Sequence, residues 1–319
     1  MRTVRNIFLL ATVSLLLAAA VFSQAANFEN AARSVTLPID IDNNIIRMKV
    51  SINGSRPLTM IFDTGASMTS IDERLVAEFG LQLSEEKLKG NGIGGGFTGG
   101  YVKSVTLAAG GASVSDQPLA AFKLNQPPGF DFDGVIGYDF IRAFVVTIDY
   151  QKKTLTLTDP KTYAYRGKGT ILPIDLNGRK TPLIRSRFEI RGHATVTGRL
   201  EIDSGFDGAF RLNSPFVKKQ RLIESFRSNK NQVSHGAGGD DQNALVMVRA
   251  VTLGPIRMSN AATALSLADQ GAGASTASDG LVGGEVLRRF RVTIDYSRSR
   301  LILEPNSDLR SPFDVEGGI

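Results

Sequence analysis

Two acidic turn motifs have residue types that could carry hydrolytic chemistry. Asp63-Thr64-Gly65 follows an apolar approach in IFDTGASMTSID, and Asp203-Ser204-Gly205 follows another in RLEIDSGFDGAF. One such triplet is an ordinary turn, because Asp, Ser, Thr and Gly all favour turns. Two carboxylates held close together would share a proton, and such a pair can act as general acid and general base. The chemistry therefore depends on whether the fold brings the two motifs together.

The motifs lie in a chain that repeats itself. Residues 133–157 and 279–303 align without gaps and agree at 12 of 25 positions, including the run Val-Thr-Ile-Asp-Tyr. Each motif is also followed by an apolar-apolar-Gly segment, Val135-Ile136-Gly137 in the first half and Leu281-Val282-Gly283 in the second. Recurrence of motif and context in the same order indicates two copies of one structural unit, each of about 140 residues.

The local pattern predicts a mostly β protein with short helices. Asn53-Gly54, between two strand-like runs, is typical of a type I′ hairpin. Strands are predicted in the first half, with counterparts in the second, at residues 35–41, 45–52, 57–62, 101–108, 144–150 and 154–158. Helices are predicted at residues 73–79 (capped by Asp72), 138–143, 215–226 and 284–289.

This layout resembles the aspartic proteases, with the two lobes in one chain of the pepsin type and short lobes closer to those of retropepsins. The resemblance covers about residues 34–305. It implies an all-β, two-lobed acid-protease fold built from duplicated retropepsin-like β-barrel lobes with short helices. The implied parts are an N-terminal lobe at 34–158, a linker at 159–170, a C-terminal lobe at 171–305 and a tail at 306–319.

The resemblance assigns Asp63 and Asp203 as the catalytic pair. In this family the two motif loops meet at the floor of a cleft. The ionised aspartate takes a proton from a water, while the protonated one polarises the carbonyl of the peptide bond. Two positions match the hydroxyls that cross-brace the loops, and two match the glycines that let the backbone turn tightly. These supporting residues are Thr64, Gly65, Ser204 and Gly205.

One position departs from the family pattern. Phe206 follows the second motif, where the first has Ala66, and a Phe side chain cannot donate a hydrogen bond to a carboxylate. The second half-site could therefore be degenerate. Neither Ala66 nor Phe206 can donate a side-chain hydrogen bond to a carboxylate, and a packed Phe would remove water from the two aspartates. Both effects raise the pKa of the carboxyls and so favour their protonated form. We expect activity to peak in weakly acidic rather than strongly acidic solution.

The glycine-rich stretch GNGIGGGFTGGY at 90–101 fits the flap, the mobile hairpin that closes over substrate in this family. The stretch also satisfies G-x-G-x-x-G, but a strand rather than a helix is predicted after it, which argues against a dinucleotide site. SHGAGGDD at 234–241 is the corresponding stretch of the second half and predicts a second lip of the cleft. The expected substrate-binding residues of the flap are Gly94, Gly95, Gly96 and Phe97.

Composition argues against several other chemistries. The chain has no cysteine, which excludes disulfides and cysteine nucleophiles. His193 and His235 are the only histidines and lack metal-ligand spacing, so we expect no metal and no cofactor. The net charge of +6 comes from scattered basic residues, which argues against nucleic acid as a partner. Asp149 and Asp295 form a second repeated pair, but they precede predicted hairpin turns and are expected to be structural.

The N-terminus is typical of a secretory signal peptide. Arg2 and Arg5 precede an apolar run from Ile7 to Phe22, and small residues follow at the cleavage positions of Ser23-Gln24-Ala25. The run is short for a membrane span of about 20 residues. We therefore expect residues 1–25 to be removed near Ala25, giving a periplasmic or extracellular protein without stable membrane insertion.

These features predict an exported aspartic endopeptidase that acts on a peptide or protein substrate. The alternative is a catalytically impaired peptide-binding protein on the same fold, because of Phe206. The duplication within one chain favours a monomer, and a homodimer with two sites is a third possibility.

Overall fold

The structure, a computed structural model, describes residues 26–92, 95–124, 126, 129–176, 180–226, 230–236 and 239–313. The predicted signal peptide at 1–25, the flap residue Gly94 and residues 314–319 of the predicted tail lie outside the described residues. Strands dominate the described chain, and the helices are short. The predicted all-β fold is confirmed.

The first half of the chain contributes two groups of strands, one around the first motif and one that joins the halves. Its strands are β1 (Asn27–Phe28), β2 (Ser34–Pro38), β3 (Asp40–Asp42), β4 (Ile45–Ile52), β5 (Leu58–Phe62), β6 (Ser70–Asp72), β7 (Leu83–Gly92), β8 (Gly95–Ala109), β9 (Ala112–Phe122), β10 (Gly134–Ile136), β11 (Val145–Asp149) and β12 (Thr154–Thr158).

The second half repeats this plan. Its strands are β13 (Thr170–Pro173), β14 (Leu183–Glu189), β15 (Val196–Ile202), β16 (Phe210–Leu212), β17 (Lys230–Gly236), β18 (Gly239–Leu253), β19 (Ile256–Ser266), β20 (Gly280–Val282), β21 (Phe290–Asp295) and β22 (Arg300–Pro305). The α-helices of the two halves are α1 (Arg74–Glu78), α2 (Tyr138–Ile141), α3 (Ser214–Lys219) and α4 (Gly284–Leu287).

Each lobe is built on one sheet that carries its motif. The N-terminal sheet has the order β1-β9-β6-β10-β5-β4-β8-β7, with β3 paired to β4, and the C-terminal sheet has the order β14-β15-β20-β16-β19-β18-β17. In both sheets the strand before the motif pairs in parallel with the apolar-apolar-Gly strand, β5 with β10 and β15 with β20. The two lobes therefore hold their motifs in the same way.

A third sheet joins the lobes, with the order β13-β22-β21-β11-β12-β2. At its centre the two copies of Val-Thr-Ile-Asp-Tyr pair antiparallel, with Thr147 opposite Thr293. Their hydroxyl oxygens lie 2.9 Å apart and are buried. Because each copy packs against the other here, a pseudo-two-fold axis passes between these two threonines.

Local details follow the sequence closely, with some differences. Asn53 and Gly54 have φ of 52° and 76°, as a type I′ turn requires. The helix predicted at 215–226 ends at Lys219, because Arg221 adopts a left-handed φ of 51°. Asp72 accepts a hydrogen bond from the Arg74 N–H at 3.1 Å, although Glu73 occupies the N-cap position of α1.

The repeated aspartates of the joining sheet are structural, as expected. Asp149 accepts a hydrogen bond from the Lys152 N–H at 3.0 Å in the turn after β11. Asp295 pairs with the Arg300 guanidinium at 2.9 Å and accepts from the Arg298 N–H at 3.2 Å. Both carboxylates therefore hold turns at the end of the paired strands.

The main apolar core runs through both lobes, and two small apolar clusters lie outside it in the N-terminal lobe. The first cluster contains Ile45, Phe130 and Phe132, with Ile61 and Val135 packed against it. The second contains Leu88, Ala120 and Phe122, with Met68, Phe97 and Tyr101 packed against it. Among the described residues, no helix is both long and apolar enough to cross a membrane.

Candidate active site

Each motif is tied to the apolar-apolar-Gly strand that crosses behind it. The Asp63 N–H donates to the Ile136 carbonyl at 3.0 Å, and the Asp203 N–H donates to the Val282 carbonyl at the same distance. Both aspartates thus follow directly from a buried strand and sit in loops of matching geometry. The repeated spacing in the sequence is explained by this pairing.

The two loops are cross-braced by the hydroxyls that follow the aspartates. The Thr64 hydroxyl donates to the Ile202 carbonyl at 2.7 Å and accepts from the Ser204 N–H at 3.1 Å. In return, the Ser204 hydroxyl donates to the Phe62 carbonyl at 2.8 Å and accepts from the Thr64 N–H at 3.1 Å. Both side chains are fully buried, so these four bonds fix one loop against the other.

The glycines allow the loops to approach closely. A Cβ atom on Gly65 would lie 2.7 Å from Cγ of Asp203, and a Cβ atom on Gly205 would lie 2.5 Å from Cγ of Asp63. Any larger residue would push the opposite carboxyl group away. The structure therefore brings together Asp63, Asp203 and their four supporting residues.

The loop backbone hydrogen-bonds both carboxylates in the same way. Oδ1 of Asp63 accepts from the Gly65 N–H at 2.7 Å and from the Ala66 N–H at 3.2 Å. Asp203 accepts from the Gly205 N–H at 2.9 Å and from the backbone N–H of Phe206. The departure at Phe206 thus preserves the backbone contacts of the second half-site.

The Phe206 ring folds onto neighbouring backbone. A Cβ atom added to Gly208 or to Gly283 would lie 2.5 Å from ring atoms of Phe206. Small residues at these two positions make room for the bulky side chain. The ring therefore packs over the glycine of the apolar-apolar-Gly segment.

The two carboxyls have unequal surroundings. Burial raises the pKa of Asp63 well above its ordinary value, and the Asp203 charge raises it further. Burial also raises the pKa of Asp203, but its hydrogen bond to Asp63 and the nearby Arg211 charge lower it. Burial and mutual repulsion therefore favour one shared proton on the pair, and the Arg211 charge favours the ionised form of Asp203.

Arg211 is a residue that the sequence analysis missed. It lies on β16, is only 1% exposed, and its guanidinium is 5.9 Å from the ring centroid of Phe206. Burial lowers the pKa of Arg211, while the charges of Asp241, Asp203 and Glu201 raise it. The available signal was a basic residue between Phe210 and Leu212, in a strand that is otherwise apolar.

The predicted flap is a hairpin of β7 and β8, called here the first flap hairpin. Gly92 pairs with Gly95 at its described end, and Gly96 pairs with Asn91. Phe97 stacks on Phe122 with ring centroids 4.4 Å apart. Met68 of the first motif loop joins the same second apolar cluster, so this hairpin reaches the candidate site.

The second glycine-rich stretch forms an equivalent hairpin of β17 and β18, called here the second flap hairpin. Gly236 pairs with Gly239 at its described end. Asp241 on this hairpin is 2% exposed, and its Oδ2 accepts a hydrogen bond from the Ser266 hydroxyl at 2.9 Å. Both lips predicted from the sequence are therefore hairpins.

The comparison with solved structures reports on the fold. An aspartic proteinase from Irpex lacteus matches with a TM-score of 0.53 and 13% sequence identity, covering 88% of this chain and 100% of that chain. The chain has the aspartic proteinase fold. At this low sequence identity, the match is evidence for the architecture of the two lobes.

The sequence comparison supports the same fold in one lobe. Residues 48–140 match the family model described as aspartyl protease. This aspartyl protease match includes Asp63 and the segment Val135-Ile136-Gly137, and it ends before the second motif. A search of curated proteins finds no significant match.

Proposed function

We propose that the protein is an aspartic endopeptidase that hydrolyses peptide bonds with an Asp63–Asp203 pair and an activated water. The observation that carries this proposal is the cross-brace between Thr64 and Ser204, which holds two equivalent acidic loops face to face. Such an arrangement suits a pair of carboxyls that must share one proton. The match of residues 48–140 to aspartyl proteases supports it further.

The unequal surroundings assign a role to each aspartate. Asp203, whose charge Arg211 favours, acts as the base that takes a proton from the water. Asp63, whose pKa burial raises well above its ordinary value, holds the shared proton and polarises the substrate carbonyl. The proton that Asp203 accepts can then pass to the leaving amine as the carbon–nitrogen bond breaks.

Exchange of either aspartate for asparagine tests the proposal. Asp63→Asn and Asp203→Asn should each lower kcat for a peptide library by at least about a thousandfold, because a general acid–base pair contributes on that order. The control is Asp269→Asn, an exposed carboxylate that pairs with Lys218 on the surface, which should leave kcat unchanged. Near-normal turnover by Asp203→Asn would contradict the paired mechanism.

The alternative is a peptide-binding protein with an impaired second half-site. The backbone contacts of Asp203 argue against it, since they match those of Asp63. One measurement distinguishes the endopeptidase from the peptide-binding protein. The impaired protein would bind peptides with no time-dependent cleavage, and Asp203→Asn would leave that binding unchanged.

We further propose that the substrate is a peptide or protein, that the enzyme acts as a monomer, and that it works after export. Both halves of the pair come from one chain, so no second copy is needed for the site. The basic and apolar start of the sequence supports export with cleavage near Ala25. N-terminal sequencing of the protein from the exported fraction tests this, and an intact Met1 there would contradict it.

A further inference from the structure

Arg211 belongs to the face of the C-terminal sheet that holds the second aspartate. Leu281 on β20 pairs with Glu201 on one side and with Arg211 on the other. Residues paired across strands point to the same face of a sheet, and so do residues two apart on one strand. Phe210 and Leu212, on either side of Arg211, point the other way into the main core. Arg211 therefore lies on the cleft face.

The second flap hairpin brings an acidic and an amide side chain to the same face. On β19, Ala264 pairs with Arg211, and Ser266, two residues later, pairs with Asn243 of β18. Because alternate residues share a face, Asn243 and Asp241 lie on the side of the sheet that carries Arg211. These three residues form a polar group on that face, and the Arg211 charge acts on Asp203.

This polar group is buried, and four of its polar atoms have no hydrogen-bond partner among the residues that the structure describes. Arg211, Asp241 and Asn243 are 1%, 2% and 1% exposed. Within the described ranges, Nε and Nη1 of Arg211 have no acceptor, and Oδ1 of Asp241 and Oδ1 of Asn243 have no donor, although Oδ2 of Asp241 accepts from Ser266. Buried polar atoms in native proteins are nearly all hydrogen-bonded, so such a set indicates a missing group that both accepts and donates.

Charge narrows the chemistry of that group. Arg211 is already attracted by Asp241, Asp203 and Glu201. A carboxylate from substrate would add negative charge beside these three acids, and an ammonium would meet the guanidinium at close range. A primary carboxamide has one oxygen acceptor and two N–H donors and carries no charge. Its two N–H donors match Oδ1 of Asp241 and Oδ1 of Asn243, and its oxygen can accept from Arg211, whereas a hydroxyl offers a single donor.

We propose that this face of the cleft is a subsite for a primary carboxamide, the side chain of a Gln or Asn in the peptide substrate. The carboxamide oxygen accepts from Arg211, and its nitrogen donates to Oδ1 of Asp241. The proposal rests on the proposed peptidase function. Because these atoms are closed off from solvent, β18 must move relative to β16 to admit the side chain.

The test compares substrates that differ at one side chain. Peptides in which each position around the scissile bond is varied in turn would be scored by kcat/KM for Gln, for Glu and for the apolar near-isostere Met. At one position, Gln should exceed both Glu and Met by about tenfold, since a buried polar group left without its partner costs that much or more. Equal use of Gln and Met at every position would overturn the subsite.

Two variants separate the partners of the carboxamide. Asp241→Asn removes one negative charge and supplies a donor, so the preference at that position should move from Gln to Glu. Arg211→Met should instead lose the preference for Gln and favour Met. The control is Asp240→Asn, an exposed neighbour on the same hairpin with the same charge change, and its substrate profile should match the wild type. An unchanged profile in Asp241→Asn would contradict the assignment.

A binding measurement distinguishes failure of the subsite from failure of the peptidase mechanism. The Asp63→Asn variant is suitable because Asp63 is not among the charges that act on Arg211. It would be titrated with the Gln, Glu and Met peptides, and binding would be measured by calorimetry. Preferential binding of the Gln peptide without any cleavage by the wild type would keep the subsite and reject the endopeptidase. Cleavage with equal binding of all three peptides would reject the subsite alone, and absence of both binding and cleavage would reject both.

Discussion

The floors of the two half-clefts have the same backbone and opposite chemistry. In the N-terminal lobe, Ile61 and Ser70 flank the central residue of the apolar-apolar-Gly strand. The equivalent positions of the C-terminal lobe hold Glu201 and Arg211. Ile61 and Ser70 of the N-terminal sheet are thus replaced by Glu201 and Arg211 at the equivalent strand positions of the C-terminal sheet.

The two flap hairpins show the same contrast. Phe97 stacks on Phe122 at the first hairpin, with ring centroids 4.4 Å apart. Ser70 and Arg211 occupy equivalent positions in the two sheets. Aligning the sheets on these two residues places Asp241 where the first lobe has Phe97, and Ser266 where it has Phe122. Asp241 and Ser266 share a hydrogen bond of 2.9 Å. A ring stack on one side therefore corresponds to a buried polar pair on the other.

This difference separates what the catalytic loops require from what the cleft walls require. The loops pack against each other, so a change in one must be matched by the other, and both keep an Asp, a hydroxyl residue and a Gly. In the proposed peptidase the walls would contact substrate rather than each other, and would be free to diverge. One chain could then join a symmetric catalytic centre to an asymmetric binding surface, with apolar selection at one lobe and polar selection at the other.

Variants of the cross-brace should show the largest effect on stability, and the same effect in both lobes. Thr64→Val and Ser204→Ala each remove a hydroxyl that makes two buried hydrogen bonds. Each should lower the free energy of unfolding by about 2–4 kcal/mol, measured by urea denaturation. Thr36→Val, at an exposed hydroxyl pair with Thr156, should change it by less than about 0.5 kcal/mol. Markedly unequal losses for the two loops would break the symmetry.

The apolar wall should depend on Phe97. Phe97→Ala removes the stack on Phe122 and opens the second apolar cluster, so KM for peptides with apolar residues at the matching subsite should rise about tenfold. The preference for Gln at the polar wall should stay unchanged, because Asp241 lies on the other hairpin. Loss of both preferences together would mean that the two walls act as one pocket.

The symmetric part of the molecule could be predicted from the sequence, and the asymmetric part could not. The motif residues Asp63 and Asp203 follow from repeated residue types, and the cross-brace was expected from the family resemblance. The strands of the joining sheet were predicted, but their pairing across the two lobes was not. Strands β7 and β9 were not predicted, because Glu85, Glu86 and Lys87 break the apolar pattern in one and Asp116 and Pro118 break it in the other. Their place in the sheet is decided by long-range pairing, to which local propensity contributes little.

Arg211 was missed for a related reason. A charged residue in a short strand has no local signature of burial, and its partners on the second flap hairpin are about thirty residues away in sequence. Only the register of β16, β19 and β18 brings Arg211 and Asp241 to the same face. The predicted role of Phe206 was also incomplete, because the space that Gly208 and Gly283 leave for its ring depends on the fold.

The acid limb of the pH profile should report the charge on the polar wall. Burial raises the pKa of Asp203, whereas the Arg211 charge favours the ionised form of Asp203 and lowers that pKa. In Arg211→Gln the pKa of the pair should rise, and the acid limb of kcat/KM should move to higher pH. Arg257→Gln, at an exposed arginine of the same lobe, serves as control. A limb that moves to lower pH would reverse the sign of this interaction.

The expected pH optimum combines both influences. Burial raises the pKa of both aspartates, which agrees in direction with the weakly acidic optimum predicted from Ala66 and Phe206. The Arg211 charge lowers the pKa of Asp203 and so opposes this effect. Phe206→Ser adds a hydroxyl beside the second carboxyl and should move the acid limb to lower pH. The two variants therefore shift the same limb in opposite directions, and a shared direction would contradict the role given to one of them.

The smallest expected effect is on stability, and it again separates the two lobes. The folded-state pKa of Asp63 lies above its unfolded value, so the folded protein binds the extra proton. The resulting cost to stability is absent below the ordinary Asp pKa of about 4 and grows as the pH rises towards the folded-state value. Asp63→Asn should therefore raise Tm at neutral pH and leave it unchanged in acid. Asp203→Asn should raise it less, because it also removes the attraction to Arg211. Calorimetric melts of both variants at neutral and acidic pH measure this, and a larger gain for Asp203→Asn would mean that Asp63, not Asp203, is the ionised partner.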